Sequence, residues 1–328
     1  MKFIRSYLAL ALLAGLALVV PGLSGAQDFP NRPIRLIVPT APGGGTDAVA
    51  RSLAKILQSQ GVATFIENKG GAGGAIGLAA VANAAPDGYT IGVTGPDALT
   101  VMPQLMLPSE LGYRADKDFL PIAQIGDTHY AFAVSSTVPV NSMAELIALA
   151  KARPGQLAYA SQGRGTAGHL ISKLLESRTG TQLLDVPYKG AGPAMAALMS
   201  GEAQVIATSP ASLKAALPTG KLKAIASASE SRSAMLPDVP TTGEAGYPGF
   251  IVSAYWGVIA PANLPEAVAN KLTELVMAAA RSQEMGERLS AMGGEIRPRG
   301  RAAFSEFLRA DAQMWKKAVV DGKISLKD

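Results

Sequence analysis

The residues best suited to chemistry in this sequence lie in glycine-rich segments, each placed between a strand-like run and a helical run. Loop 1 covers residues 39–47, loop 2 residues 70–74 and loop 3 residues 161–168. Because glycine has no Cβ, the backbone N–H groups of such loops can approach a ligand closely. The free N–H groups at the start of the following helix also attract negative charge. The loops therefore predict a site for a small anion.

The side chains in these loops fit an organic carboxylate. The Ser161 and Thr166 hydroxyls can donate hydrogen bonds to it, and Arg164 either pairs with a second carboxylate or points into solvent. Asp47 would repel an anion, so it is expected to fix the geometry of loop 1 or to accept a ligand amine. Either Asp47 or Thr46 is the predicted N-cap of the next helix. The predicted ligand-binding residues are Thr40, Gly43, Gly44, Gly45, Thr46, Asp47, Ser161, Gln162, Gly163, Arg164, Gly165, Thr166, Tyr188 and Thr208.

Loop 3 also spells a dinucleotide-binding pattern. Gly163, Gly165 and Gly168 form G-x-G-x-x-G, and loop 1 forms the G-x-G-x-x-A variant, a pattern that holds a pyrophosphate at a helix start. The match alone is weak, and no Gly-Lys-Ser or Gly-Lys-Thr follows any loop, as a Walker A phosphate site requires. The export signal described below also counts against a nicotinamide cofactor. We therefore expect no cofactor.

The composition gives little support to enzyme chemistry. The chain has no Cys and only 2 His, which excludes disulfides, thiolate nucleophiles and Cys-ligated metals, and it has no H-E-x-x-H pattern. His169 lies near a predicted helix start without a G-x-S-x-G nucleophile motif, so a structural hydrogen bond is its expected role. We predict no catalytic residue and no metal site. An exported hydrolase or oxidoreductase on a similar α/β fold is the alternative.

Residues 1–26 have the layout of a secretory signal peptide. Lys2 and Arg5 precede an uncharged apolar run, and residues 24–26 (Ser-Gly-Ala) fit a small-x-small cleavage site. The run is shorter than the roughly 20 residues that span a membrane, and a chain without Cys has no lipid-anchored cleavage site. We expect cleavage after Ala26 and a soluble protein exported to the periplasm.

The mature chain alternates strand and helix patterns, which is typical of mostly parallel sheets covered on both faces. A chain of 328 residues is long enough for about two domains. Strand-like segments at residues 122–134 and 250–259 are the predicted crossings between them. We predict two doubly wound α/β domains joined by a two-strand hinge. Domain 1 comprises residues 27–127 and 251–328, and domain 2 comprises residues 128–250.

The charge of the chain argues against nucleic acid as a partner. The formal net charge is only +5, whereas a nucleic-acid protein has a clustered basic face. The densest basic run is Arg297, Arg299 and Arg301. It lies between helical patterns that fill the chain after Pro261, and we interpret it as a solvated loop. A mild positive excess still suits a small anionic ligand.

The chain also carries a series of longer sequence motifs. They follow one another along the whole mature chain. The motifs are Pro33-Ile34-Arg35-Leu36-Ile37-Val38-Pro39, Pro42-Gly43-Gly44 with Asp47 and Arg51, Glu67-Asn68-Lys69-Gly70-Gly71-Ala72-Gly73-Gly74 with Gly77, Pro86-Asp87-Gly88-Tyr89-Thr90, Tyr159-Ala160-Ser161, Gly168-His169-Leu170, Val186-Pro187-Tyr188-Lys189-Gly190, Leu236-Pro237-Asp238-Val239-Pro240-Thr241 and Glu244-Ala245-Gly246.

Together these motifs resemble the Bug family, the periplasmic substrate-binding proteins of tripartite tricarboxylate transporters. This resemblance implies a fold, a function and partners. The implied fold is the two-lobed periplasmic binding protein fold, type II-like, and the implied function is capture of a small organic carboxylate without catalysis. The implied partners are the large and small membrane subunits of the transporter, with the protein itself a monomer. The chain departs from the family pattern at Thr40, where the family usually has an aromatic residue, and this departure concerns the identity of the ligand.

Overall fold

The computed structural model describes residues 29–322 and residue 324. The predicted signal peptide, residues 1–26, lies outside the described residues. The strands are β1 (Ile34–Val38), β2 (Thr64–Asn68), β3 (Thr90–Thr94), β4 (Phe119–His129), β5 (Ala131–Ser135), β6 (Ala158–Ser161), β7 (Leu184–Pro187), β8 (Val205–Thr208), β9 (Leu222–Ser227), β10 (Ser253–Pro261) and β11 (Glu295–Gly300).

Helices connect most of these strands, as the alternating pattern predicts. The α-helices are α1 (Gly45–Ser59), α2 (Ala75–Ala82), α3 (Pro108–Leu111), α4 (Met143–Ala152), α5 (Ala167–Thr179), α6 (Ala191–Ser200), α7 (Pro210–Ala216), α8 (Glu266–Ala280), α9 (Gln283–Ala291) and α10 (Arg301–Asp321). Short 3-10 helices lie at Ala72–Gly74, Met102–Gln104 and Leu217–Thr219, and a π-helix covers Asp97–Val101. None of the described helices is long and apolar enough to cross a membrane.

The strands form two sheets, which confirms the predicted α/β class, but both sheets are mixed rather than mostly parallel, because the crossing strands and β5 pair antiparallel with their neighbours. The first sheet has the order β11-β4-β10-β3-β1-β2, and the second has the order β7-β6-β8-β5-β9. We call the first sheet with its covering helices lobe 1, and the second sheet with its helices lobe 2. In lobe 1, β1 runs parallel to both β2 and β3. In lobe 2, β6 runs parallel to β7 and β8.

Burial explains why these segments form a sheet and a helix. Every residue of β3 is buried and nearly all of β1 is, as expected for central strands covered on both faces. The apolar stripe predicted on α1, formed by Val49, Leu53, Ile56 and Leu57, is buried against the sheet. Apolar burial contributes about 25 cal/mol per Å², so this stripe fixes the helix on the sheet and its first turn at the end of β1.

The two segments that pass between the lobes run side by side. Strand β4 pairs antiparallel with β10 over its whole length, from Phe119 opposite Pro261 to His129 opposite Ser253. The chain changes sheet at Tyr130, whose N–H donates to the Val252 carbonyl at 3.0 Å. Both crossings fall inside the segments predicted for them. The exact domain boundaries stay a prediction, and β4 continues in the first sheet past residue 127.

The C-terminal part of the chain differs from the sequence prediction in two ways. The basic run is not a solvated loop, because Arg297 and Arg299 lie on edge strand β11, beside the buried Asp127 carboxylate of β4. Helix α10 also packs against both lobes, rather than against the first sheet alone. Its first half packs Phe304 in lobe 1, and its second half packs Trp315 in the core of lobe 2. A periodic helix pattern does not reveal which sheet it meets.

Candidate functional site

A cavity of about 510 Å³ lies between the two lobes. It is at the carboxyl ends of β1, β2 and β3 in lobe 1 and of β6 in lobe 2, where open α/β sheets bind their ligands. All three glycine loops reach it. The lining residues are Pro39, Thr40, Ala41, Thr46, Gly70, Gly71, Gly73, Gly74, Thr94, Gly95, Pro96, Asp97, Ala98, Met102, Tyr130, Arg164, Gly165, Thr166, Ala254, Tyr255 and Trp256.

Loop 1 is held by the Asp47 side chain. One carboxylate oxygen accepts hydrogen bonds from the Gly43 N–H at 2.9 Å and from Arg51 Nε at 2.8 Å. The other oxygen accepts from Asn68 Nδ2 at 2.9 Å, and Asn68 ends strand β2. Asp47 therefore joins loop 1 to the start of loop 2. Of the two roles expected for it, the contacts are those of a loop-fixing residue.

The hydrogen bonds also set the charge of this carboxyl. Burial on its own would raise the pKa of Asp47, but the donors on Arg51, Gly43 and Asn68 outweigh burial, and the net shift is downward. The group is therefore a carboxylate at neutral pH. Because this negative charge is already satisfied, it does not face the cavity, and Asp47 is not among the lining residues.

The start of α1 also differs from the sequence prediction. The helix begins at Gly45, and Gly44 is its N-cap, without a side-chain hydrogen bond. The predicted caps, Thr46 and Asp47, lie inside the first turn instead. The Gly43 N–H, predicted to face a ligand, is used by Asp47. Gly43, Gly44 and Gly45 all lie outside the cavity lining, whereas Thr40 and Thr46 line it.

Loop 2 packs closely beneath loop 1. A Cβ on Gly70 would lie 3.2 Å from the backbone nitrogen of Ala41. Gly74 has φ of +96°, and a Cβ there would lie 2.9 Å from Ala98 Cβ. Such a position needs glycine both for the left-handed backbone and for space. This loop was predicted to contribute to the site for a small anion, but its glycines were not among the predicted ligand-binding residues.

Loop 3 is held by hydrogen bonds among its own neutral groups and by Asp97 of lobe 1, which accepts from the Ala167 N–H. Thr166 is the N-cap of α5, accepts from the His169 N–H at 3.3 Å and donates to the Gly163 carbonyl at 2.7 Å. The Gly165 N–H donates to His169 Nδ1 at 3.3 Å, and Gln162 Nε2 donates to the Ala207 carbonyl at 2.8 Å. His169 thus has the structural role expected for it. Gly165, Arg164 and Thr166 line the cavity, but Gln162 and Gly163 do not.

Two hydroxyls at the ends of the central strands have no hydrogen-bond partner within the described residues. They are Thr40 Oγ1, just after β1, and Ser161 Oγ, at the end of β6. Buried polar groups are nearly always paired, and an exception calls for an explanation such as a ligand or water. The two groups lie in opposite lobes. Thr40 lines the cavity, whereas Ser161, the first residue of loop 3, is buried and does not line it.

Tyr188 and Thr208 are not brought to the cavity. The Tyr188 hydroxyl donates to Glu202 Oε1 at 2.8 Å, and burial, together with this contact, raises the pKa of Tyr188 to about 12. Thr208 is buried at the end of β8, beside β5. The Tyr188 hydroxyl therefore forms its hydrogen bond at the surface of lobe 2. Neither Tyr188 nor Thr208 is among the residues that line the cavity.

The site residues that sequence analysis missed lie on two further segments. Thr94 ends β3 and residues 95–97 follow it, whereas Tyr130, Tyr255 and Trp256 come from the two crossing segments. The sequence carried one signal for residues 94–97. They lie at the carboxyl end of a buried strand that is parallel to β1, and parallel strands present their carboxyl ends at one edge of the sheet. The crossing residues depend on how the two lobes meet, which leaves no local pattern in the sequence.

Comparisons with known proteins agree with this geometry. Residues 47–322 match the model of the family described as the tripartite tricarboxylate transporter family receptor. Protein BugT of Bordetella pertussis strain Tohama I is 36% identical over 270 residues, which cover 82% of this chain and 82% of BugT.

Solved structures show the same relationship. The periplasmic binding protein BugD is 33% identical with a TM-score of 0.76, over 90% of this chain and 99% of BugD. The MatC protein of Rhodopseudomonas palustris, solved with bound malate, is 32% identical with a TM-score of 0.76, over 89% of this chain and 100% of MatC. The predicted two-lobed periplasmic binding protein fold is confirmed, and these relatives are solute-binding proteins rather than enzymes. The chain belongs to the tripartite tricarboxylate transporter receptor family, in the Bug group of solute-binding proteins.

Proposed function

We propose that this solute-binding protein works in the periplasm, after cleavage behind Ala26, and captures a small organic carboxylate between its lobes. The observation that carries the proposal is the cavity between loop 1 and loop 3, where the unpaired Thr40 hydroxyl and Arg164 come from opposite lobes. Malate, bound by the related MatC protein, is a ligand of this class. The carboxylate is then passed to the membrane subunits of a tripartite tricarboxylate-type transporter, with the protein acting as a monomer.

The energetics of such a site are sufficient without covalent chemistry. A hydrogen bond to a charged group contributes about 1.5–3 kcal/mol. A few of these, with the apolar contact offered by Trp256 and Met102, reach the roughly −8 kcal/mol of a micromolar complex. Closing the lobes on the ligand removes water from these contacts, and the paired crossing strands are suited to that bending.

Calorimetry with the mature chain, residues 27–328, tests the capture step. We expect one carboxylate per chain to bind and to be recovered unchanged. Thr40→Val should weaken binding about tenfold because it removes an unpaired donor while conserving shape, an effect of about 1.4 kcal/mol. Thr273→Val is the matched control, since that hydroxyl donates to the Ala269 carbonyl within α8. A carboxylate panel without a binder, or turnover of the bound acid, contradicts the proposal.

Uptake measurements test the transport step separately. Cells that lack this chain should fail to accumulate the labelled acid identified by calorimetry, and the wild-type chain should restore uptake. The Thr40→Val chain should restore it only at higher acid concentrations. Uptake that continues without the chain shows that the captured acid serves another purpose.

A further inference from the structure

One charged residue of the cavity does not suit a simple anion. Among the described lining residues, Asp97 and Arg164 are the charged ones. Asp97 follows β3 and begins the π-helix Asp97–Val101. Its side chain is open to the cavity. A carboxylate ligand that enters this space therefore meets a second carboxyl group.

The contacts of Asp97 leave its charge without a cation. One oxygen, Oδ1, accepts from the Ala167 N–H at 3.1 Å, across the cleft at the start of α5. Within the described residues, no basic side chain offsets its charge. The residue stays exposed to the space between the lobes, and desolvation by the surrounding protein atoms raises the pKa of Asp97. A carboxyl group that faces the cavity without a cation is a suitable partner for a positively charged ligand group.

Aromatic residues of the crossing segments also line the cavity. Tyr130 is half-buried there, whereas the Tyr255 ring packs edge-to-face against Phe304 and Phe307. Burial raises the pKa of Tyr130, and the nearby negative charge of Asp97 adds to the shift. Aromatic faces attract ammonium groups, so Tyr130 and the Asp97 carboxylate favour the same kind of ligand group.

We propose that Asp97 selects a ligand that carries an ammonium group beside its carboxylate, so that the captured acid is an amino acid. The ammonium group contacts Asp97, and the carboxylate lies toward Thr40 and Arg164. This inference rests on the proposed carboxylate-binding function and narrows its ligand class. The sequence offered Asp47 for this role, but Asp47 is occupied by its own hydrogen bonds.

Matched ligand pairs test the selection. Each pair consists of an amino acid and the acid without the amine: L-aspartate and succinate, L-glutamate and glutarate, and L-phenylalanine and 3-phenylpropanoate. We expect the wild-type chain to bind the amino acid of at least one pair tenfold or more tightly than its partner. L-malate, which replaces the ammonium of aspartate with a hydroxyl, should bind more weakly than aspartate.

The Asp97→Asn variant separates selection from a purely structural role. Its amide oxygen can still accept from the Ala167 N–H, so the contact between the lobes is kept while the charge is removed. We expect affinity for the preferred amino acid to fall tenfold or more, and affinity for its amine-free partner to stay constant or rise. Asp238→Asn is the control, because it removes one exposed acid outside the cavity and should change neither affinity.

The outcomes distinguish the two proposals. If amine-free acids bind as tightly as the amino acids, or if Asp97→Asn weakens both members of a pair equally, the selection by Asp97 is wrong and the capture of carboxylates stands. If malate binds more tightly than aspartate, the ammonium assignment is also wrong. If no acid of either kind binds to the wild-type chain, the proposed function itself fails.

Discussion

Loop 1 and loop 3 occupy corresponding places in the two lobes, yet different chemistry holds them. Each follows the carboxyl end of a strand and leads into a helix. In loop 1, the Asp47 carboxylate is surrounded by donors and is turned away from the cavity. In loop 3, Thr166 and His169 make the internal contacts without a charge. The charged residue of loop 3, Arg164, takes no part in these internal contacts and lines the cavity.

The comparison explains how an anion site can contain acids. A carboxylate that holds a loop is harmless to an anionic ligand when its hydrogen bonds are satisfied inside the protein. Asp47 meets that condition, and Asp97 does not, because it opens into the cavity with one described donor. The position of an acidic residue in the sequence of a loop therefore does not predict whether its side chain contacts the ligand. The number of donors around the carboxylate decides whether it shapes the site or meets the ligand.

Removal of the Asp47 carboxylate is expected to have the largest effect on stability. Asp47→Ala removes the buried carboxylate that accepts hydrogen bonds from the Gly43 N–H, Arg51 Nε and Asn68 Nδ2, and each hydrogen bond lost in this way costs about 0.5–1.5 kcal/mol. We expect the free energy of unfolding to fall by about 2–3 kcal/mol, with loops 1 and 2 released together. Urea denaturation measures the change.

The exposed Asp238 provides the control for this experiment. Asp238→Ala should shift the denaturation midpoint little, because surface substitutions usually change stability by less than about 0.5 kcal/mol. A loss of stability in Asp47→Ala no larger than that of the control would show that the hydrogen bonds of Asp47 do not fix the loops.

The fold was predictable because its signals are local. Strands such as β5 contain a short apolar run, and the stripe on α1 has helical spacing. Both patterns are visible in the sequence because the buried faces of these elements require apolar residues. Strand β11 was missed because its arginines look solvated. They are placed by Asp127 of β4, a residue far away in the chain. Patterns of periodicity do not record such long-range pairing.

The site was predictable only where glycine loops follow strands. Thr40, Thr46, Arg164, Gly165 and Thr166, all in the loops, line the cavity. Asp97 was missed because its place in the cavity depends on β3 lying beside β1 and on the contact with lobe 2. Tyr188 was included as a residue expected near the rim of the cleft, but its hydroxyl contacts Glu202 away from the cavity.

Backbone conformation separates the two loops in a second, smaller way. Gly165 has φ of +76°, whereas Gly44 has φ of −76° and an added Cβ would meet atoms only at 3.7 Å or beyond. Left-handed backbone costs a residue with a Cβ about 1–2 kcal/mol. We therefore expect Gly165→Ala to lose about that much stability and to weaken binding, and Gly44→Ala to keep both. Thermal unfolding and calorimetry measure these changes. Equal losses in the two variants would show that backbone conformation does not distinguish the loops.

The smallest expected effect is a difference in how the loops respond to acid. Burial lowers the pKa of His169, and its Nδ1 can accept from the Gly165 N–H only while that nitrogen is unprotonated. The unfolded chain then binds the proton more readily than the folded chain, so stability falls as the pH drops below the ordinary histidine value of about 6.5. The pKa of Asp47 is also lowered, but its contribution is lost only below the ordinary aspartate value of about 3.9.

Loop 3 should therefore weaken at a higher pH than loop 1. His169→Asn tests this order, because an Asn oxygen can take the place of Nδ1 as acceptor and does not titrate. Between pH 6.5 and pH 4.5, we expect the wild-type chain to lose more stability in urea denaturation than the variant. His129 is buried as well, and burial lowers its pKa too, but it is present in both chains and cancels in the comparison. Parallel curves for the two chains over that interval would mean that His169 does not set the acid response of loop 3.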